Sequence, residues 1–412
     1  MQVIYPRCAG LDVHEKTVVA TAMITQDDGK VQQMQRTFRT MTADLLALSD
    51  WLDQQQIPVV AMESTGIYWR PIFNILEEGR TIILVNARHM KAVPGRKTDA
   101  KDSEWIADLL RHGLLQASFI APQPIRELRE LTRYRKTLVQ ERADEINRLQ
   151  KVLETANLKL GAVATDVLGK SGRAMLDALV GGESDTEILA ELARGRLRAK
   201  LADLRLALEG RVQPHHRFLL TRILAHIDFL EESITTVTRE IEERLPPFEK
   251  AMELLKSIPY LQEGSSATIL SEIGDDMSRF PSDKHLASWA GLCPGNHESA
   301  GKRLSGSTTH GNPYLRAVLC QIAWVVAHTK DTSLSAFYHR IARRRGRKKA
   351  IVAVAHKLLV IIYHVLSTKK PYEELGVDYF DHLDQARIER RSIQRLEQLG
   401  YTVTLSPKEE AA

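Results

Sequence analysis

The chain has 412 residues, 43% of them hydrophobic and 26% charged, with a formal net charge of +5. That length exceeds one ordinary core, and that balance excludes a disordered or fibrous chain, so two or three globular domains are expected. Three widely separated cysteines, Cys8, Cys293 and Cys320, exclude a disulfide framework or zinc knuckle and fit a reducing cytoplasm.

In chain order, the first 122 residues alternate short β-like and helical runs. Cys8 to Val13 and Thr17 to Thr25 read as paired strands joined by the polar turn His14-Glu15-Lys16. Pro58 to Met62 and Thr81 to Val85 are short apolar runs suited to central strands, with Trp69 to Glu78 helical between them. This order predicts an α/β domain with a mixed sheet, ending near Pro122 to Pro124.

The period then changes. Ile146, Leu149, Leu153, Ala156 and Leu160 are spaced by threes and fours, as are Leu220, Ile223, Ile227, Leu230, Ile234, Val237 and Ile241. Charges fill the positions between, as in coiled-coil or bundle helices. This is either a hairpin that packs on itself or an oligomerisation arm, closed by Pro246-Pro247. A third region begins near Glu249, with two helices around Pro259 to Ser265 and another run at Leu286 to Ala290. A Gly/Ser/Thr-rich loop over Gly291 to Asn312 leads into helices through Leu366. The apolar run Ala350 to Leu366 is interrupted by His356, Lys357 and His364 and reads as a buried helix. Trp69, Trp105, Trp289 and Trp324 sit among apolar residues and are expected in the core, and the tail beyond Lys369 is polar.

Four acids stand out. Asp12 interrupts the apolar first strand, where a carboxylate is unfavourable without a partner such as a metal ion. Glu63 follows directly on the strand Val59-Val60-Ala61-Met62, at the strand end where α/β sites gather. Asp99 and Asp102, three apart, fall on one face of the first turn of the helix Glu104 to His112. Taken singly, either has the alternative of capping that helix. Together, strand-borne and helix-borne carboxylates are the donors that phosphodiester chemistry uses to hold hard divalent cations.

Charge is concentrated late. From Ser299 to Tyr372 there are fourteen Lys/Arg against one acid, Asp331, which points to a polyanion. Seven of these bases fall between Arg340 and Lys349, and guanidinium groups pair bidentately with phosphate oxygens. Arg343, Arg344, Arg345, Arg347, Lys348 and Lys349 are the candidate nucleic-acid contacts, with Lys302 and Arg303. Ser299 stands beside His297, Glu298 and those last two bases, and Gly295, Gly301 and Gly306 would let the loop approach a phosphate. A serine in such a loop is otherwise a turn former.

Gly-Leu-Asp-Val-His, Met-Glu-Ser-Thr-Gly-Ile-Tyr-Trp and Gly-Arg-Lys-Thr-Asp-Ala-Lys-Asp resemble the DEDD transposases of the IS110/IS1111 group of insertion sequences. So do Leu-Arg-Glu-Leu-Thr-Arg-Tyr-Arg and Ala-Gly-Leu-Cys-Pro-Gly-Asn-His-Glu-Ser-Ala-Gly-Lys-Arg. The resemblance runs from about Ala9 to Leu366. It implies an α/β RNase H-like (RuvC-like) DEDD catalytic domain over 1–122, a helical coiled-coil region over 123–248, a mainly α C-terminal transposase domain over 249–368 and a polar tail over 369–412. It also implies a tetrad on Asp12, Glu63, Asp99 and Asp102 coordinating Mg²⁺, and a serine nucleophile on Ser299. The implied partners are donor and target DNA, a structured non-coding RNA that bridges them, and further copies of the chain, in the bacterial cytoplasm at the nucleoid. In such assemblies the RuvC-like site and the serine come from different protomers. Here Ala300 separates the serine from Gly301, and the loop Ser305 to His310 lacks the Lys/Arg common in relatives, so Ser305 and Ser307 compete with Ser299. Two other readings stay open: a nuclease that hydrolyses without joining strands, and a non-enzymatic DNA-binding protein.

Overall fold

The computed structural model describes residues 2–64, 66–85, 102–295, 297–299, 302–377, 379 and 385–404. The chain divides into two compact units, Met1–Ile120 and Ala121–Ala412.

The first unit is built on a five-stranded sheet of order β3-β2-β1-β4-β5. Its strands are β1 (Arg7–Val13), β2 (Thr17–Thr25), β3 (Val31–Arg39), β4 (Val59–Glu63) and β5 (Thr81–Val85). β1, β2 and β3 pair antiparallel, whereas β1, β4 and β5 run parallel, which makes the sheet mixed as expected. Side chains alternate across a strand, and each face carries its own cluster. Leu11, Val60 and Met62 turn toward helices α1 (Thr42–Gln54) and α2 (Trp69–Leu76), meeting Leu48, Leu52, Ile72 and Leu76. Cys8, Val59 and Ala61 turn the other way, onto Ile106, Ala107 and Leu110 of α3 (Asp102–Arg111). Fully burying one such leucine or isoleucine contributes about 1.5–3 kcal/mol.

β3 and α1 occupy residues 31–54, a stretch without an evident strand or helix pattern in the sequence. β3 is an edge strand that buries only Phe38. Its sequence, Val-Gln-Gln-Met-Gln-Arg-Thr-Phe-Arg, therefore lacks the usual alternation.

In the second unit, α4 (Gln123–Thr155) and α9 (Pro214–Glu243) lie side by side. Their contacts run Glu127 to Arg244, Arg135 to Thr238, and Arg142 to Glu231. Numbers climb on one helix as they fall on the other, so the pair is antiparallel. The periodic run predicted to continue through Ala156 to Leu160 stops at Thr155, because Asn157 takes the left-handed conformation (φ 60°). The chain then builds a small helical subdomain from α5 (Leu160–Val163), α6 (Lys170–Val180), α7 (Thr186–Glu191) and α8 (Leu201–Leu208). Its core joins Met175, Leu176, Leu189 and Leu204 to Leu153 of α4 and Leu220 of α9. Arg173 closes it against α9 by pairing with Asp177 and Asp228, and its guanidinium holds the Asp228 carboxyl below the usual range.

The rest of the unit comprises α10 (Glu249–Lys256), α11 (Glu263–Ile273), α12 (Asp283–Trp289), α13 (Pro313–Ala327), α14 (Ser333–Arg345) and α15 (Arg347–Thr368). α15 is long and apolar enough to cross a membrane by composition. Here it buries Val354, Leu358, Leu359, Ile362 and Leu366 as the central helix, packed on α10, α12, α13 and α14. Two expectations change, at the loop and at Trp324. The loop over Gly291 to Asn312 contains a two-stranded hairpin, β6 (His297–Ser299) and β7 (Lys302–Ser305), and the polar tail contains α16 (Gln385–Gln398). Trp324 is not core: it is 59% exposed, with its ring tilted against that of His328 at a centroid distance of 4.2 Å. It lies on the outward side of α13, whose inward side is already filled by Leu315, Leu319, Ile322 and Val326.

Candidate active site and nucleic-acid interface

Three of the four singled-out acids fall on elements that meet in the first unit. Leu11 of β1 pairs with Met62 of β4 in a parallel register, so the next residues, Asp12 and Glu63, stand level on neighbouring strands. By alternation both share the face of Cys8 and Ala61, which is covered by α3. That helix runs opposite to β1. The Arg111 carbonyl accepts from the Ile4 amide at 2.9 Å, the Ala107 carbonyl accepts from Cys8 Sγ at 3.6 Å, and Ser103 lies over Gly10. One residue further toward the N-terminus of α3, Asp102 reaches the Asp12 end of the strand.

What holds the helix there is polar, and its two hydroxyls are buried. Thr21, opposite Gly10 on β2, hydrogen-bonds Ser103 Oγ at 2.8 Å. Gln35 Nε2 of β3 donates to both hydroxyls, at 3.0 and 3.2 Å. Gly10 is required because a Cβ there would collide with the Ser103 carbonyl oxygen and the Ala107 nitrogen. Burial pushes the Cys8 thiol on this face up to about 12, which makes it an inert packing group.

Asp12 keeps a quarter of its side chain exposed and accepts from His14 Nε2 at 3.1 Å. His14, read from sequence only as a turn residue, is thus a neighbour of the site; two residues on from Asp12 along a hairpin was the available signal. Asp99 lies outside the described residues. Among the described residues, no three His, Cys, Asp or Glu side chains converge closely enough to hold a metal. The donor set nonetheless fits a hard divalent cation, since all three groups are carboxylates brought to one end of one face.

The serine lies in the second unit. Ser299 is the last residue of β6 and pairs with Lys302 of β7, while Glu298 pairs with Arg303. Ser305 ends β7, and Ser307 is an exposed residue of the descending arm. The stem below is closed by backbone. Gly295 donates to the Ser307 carbonyl at 2.8 Å, and Pro294 bridges Thr308. At its foot a Cβ on Gly291 (φ 69°) would lie 2.7 Å from the Gly311 nitrogen and 2.8 Å from the Thr309 carbonyl. Under the ascending arm, His356 of α15 approaches Cys293 Sγ at 4.0 Å. Burial depresses this histidine's pKa and raises that of the Cys293 thiol, so both are neutral near pH 7.

Six of the candidate nucleic-acid residues cluster where α14 meets α15. Arg343, Arg344 and Arg345 form the last turn of α14, and Arg347, Lys348 and Lys349 the first turn of α15. Gly346 joins them with φ 83°, a conformation that favours glycine. All six are exposed, and among the described residues none is in an ion pair. Cations suit a helix C-terminus, but at an N-terminus each costs about 0.3–1 kcal/mol. No acid offsets them in that turn.

Comparison with known proteins agrees with this layout. A DEDD transposase model of the IS110 type, described as "Transposase", matches residues 9–158. A second, "Transposase IS116/IS110/IS902 family", matches residues 252–339. The chain is 31% identical over 149 residues to a pilin gene-inverting protein of Moraxella bovis, covering 35% of this chain and 46% of that protein. The chain thus spans about half the length of that relative. It is 26% identical to a probable family 20 transposase of Pseudomonas aeruginosa, over 77% of this chain and 87% of the relative. It is 24% identical to the transposase for insertion sequence element IS1111A of Coxiella burnetii, over 77% and 80%. Two family matches in order, one over the carboxylate-bearing sheet and one over the serine hairpin, lead to one conclusion: the chain belongs to the IS110 family of DEDD transposases.

Proposed function

We propose that this protein is a Mg²⁺-dependent DNA transposase that cleaves and exchanges strands between a donor and a target under the guidance of a structured RNA. The observation that carries the reading is the level placement of Asp12 and Glu63 on adjacent parallel strands, with the Asp102 end of α3 seated over them. Asp12, Glu63, Asp99 and Asp102 are the residues that would hold magnesium. When bound, the ion supplies stabilisation for charge developing on the phosphate oxygens.

Ser299 is the proposed nucleophile. Its Oγ forms a bond to a DNA phosphorus as the bond from that phosphorus to the 3′ oxygen breaks. The hydroxyl proton leaves, and the departing oxygen becomes a 3′-hydroxyl. The 5′ phosphate stays on the serine until a 3′-hydroxyl from the other DNA attacks the same phosphorus and releases it. One phosphodiester is exchanged for another through one phosphoserine ester, so no external energy source is required. Lys302 and Arg303, paired across the hairpin from the serine segment, neutralise the flanking phosphates.

The exposed cations at the α14–α15 junction, none in an ion pair among the described residues, support a polyanion contact, and a bound anion would offset the charge gathered at the α15 N-terminus. We assign the guide RNA to that surface. Self-association is supported by α9, where Phe218 and Phe229, three turns apart on one face, are 66% and 61% exposed. The pilin gene-inverting relative is named for a reaction of the same kind, a rearrangement of DNA.

The test is denaturing electrophoresis of labelled DNA incubated with protein and co-purified RNA, followed by peptide mapping of the adduct. A 5′-phosphate adduct on Ser299, absent from Ser299→Ala and retained in Ser305→Ala and Ser307→Ala, is the expected result. An adduct that survives Ser299→Ala, or maps to another serine, overturns the assignment.

A further inference from the structure

We propose that Arg316 is a positioning residue for the serine hairpin, held in place by a hydrogen-bonded chain that joins Asn312 and Arg133 through the buried Glu272. The proposal rests on the serine reading above for its catalytic consequence, but its geometry is independent of that reading.

A two-stranded hairpin is marginal on its own, and this one is only three and four residues long. Something outside it must therefore fix its stem. Arg316, one turn into α13, does so with a single nitrogen. Its Nη1 donates to the Gly291 carbonyl at 3.2 Å, at the foot of the ascending arm, and to Thr308 Oγ1 at 2.6 Å, on the descending arm. Both arms are thereby tied to one guanidinium.

That guanidinium is only as well placed as its helix. Asn312 caps α13, accepting on Oδ1 from the Tyr314 and Leu315 amides at 3.0 and 3.1 Å. Its Nδ2 donates to Glu272 Oε2 at 2.6 Å. Glu272 of α11 is wholly buried, and Arg133 of α4 meets it bidentately, both contacts at 2.8 Å. Arg129 donates to the Ser271 and Glu272 carbonyls at 2.8 and 3.0 Å, and Thr132 hydrogen-bonds Ser271 at 2.9 Å. The Arg133 guanidinium also lies 4.3 Å over the Tyr314 ring, which seats the first turn of α13 a second time.

A buried ion cluster gains little net stability over well-packed apolar residues of the same shape. A carboxylate sealed between two arginines and a cap amide instead fixes directions, because each group has one geometry that satisfies it. The direction fixed here is that of α13, and through Arg316 that of the hairpin stem.

The experiment compares Arg316→Ala, Arg316→Lys and Ser299→Ala in the full-length protein with its co-purified RNA. Three quantities are read: the rate of protein–DNA adduct formation, DNA affinity, and amide exchange over residues 291–311. Arg316→Ala should slow adduct formation by about a hundredfold, as a displaced reacting group does. It should leave DNA affinity near wild type and speed hairpin exchange, while added methylguanidine restores part of the rate. If Arg316→Ala melts early, Arg316→Lys carries the test, since it keeps the charge but cannot reproduce the planar fork. Wild-type exchange and wild-type adduct rate in both variants overturn the proposal. An adduct that persists in Ser299→Ala while Arg316→Ala still loosens the hairpin defeats the serine reading and leaves the positioning role standing.

Discussion

Gly10 and Ser103 leave no room for a methyl group between them: a Cβ on the glycine would collide with the serine's carbonyl oxygen. A strand and a helix approach this closely only where one presents bare backbone. Here the approach sets how near Asp102 comes to Asp12 and Glu63. Gly10→Ala must push α3 off the sheet, which overpacking data place at about 1–3 kcal/mol of stability. Urea denaturation measures this, and the same variant should lose strand exchange far beyond its loss of folded protein. Wild-type stability with wild-type exchange would show that the helix has freedom the contact denies it.

Much of that geometry was readable in advance. Alternation gave β1, β2 and their turn, and short apolar runs gave β4 and β5, because burial on one or both faces leaves a period in the residues. β3 left none, since it is an edge strand facing mostly solvent. The serine hairpin was hidden for a different reason. Its residues have turn composition, and what shapes it is the backbone crossing of Gly291 and Gly311 with the remote Arg316, neither of which has a local signature. Glu272 was detectable by the logic that singled out Asp12: it interrupts the apolar run Ile269-Leu270-Ser271-Glu272-Ile273, and a buried carboxylate demands partners. The identity of those partners, on α4 and at Asn312, depends on tertiary packing alone.

Loss of one carboxylate should disable the proposed metal site without unfolding the unit. Asp102 is exposed at the start of α3, so Asp102→Asn removes a proposed ligand and no core contact. Calorimetric titration with Mn²⁺ should show affinity reduced by about tenfold or more in Asp102→Asn and Glu63→Gln, with circular dichroism and melting temperature near wild type. Chelation should stop exchange in the wild type and added Mg²⁺ restore it. Full metal affinity and full exchange in both variants would remove these residues from the site.

The arginines at the α14–α15 junction should appear in the salt dependence of RNA binding. Each phosphate contact contributes a slope of roughly −0.7 to −0.9 in log K against log salt, so replacing Arg343, Arg344, Arg345 and Arg347 together with Ala should flatten it by about three. Melting should change little, because all four side chains are exposed and none is in an ion pair among the described residues. An unchanged slope would move the RNA to another surface.

His356 gives the second unit a pH dependence of defined sign. Burial lowers its pKa in the folded protein, an effect that a backbone hydrogen bond at Leu292 partly opposes. The unfolded chain, with a histidine near 6.5, therefore binds the proton more tightly than the folded one. Stability from this group is fully present above that value and is lost as pH falls through it toward the lower folded pKa, at no more than about 1.4 kcal/mol per pH unit. Because His356 lies under the Leu292–Cys293 arm of the hairpin stem, the loss should appear first as faster amide exchange at the hairpin between pH 7 and 5. His356→Gln, which cannot take up the proton, should flatten both the exchange and the unfolding profiles over that range. Profiles that keep their wild-type slope in His356→Gln would assign the effect to another group.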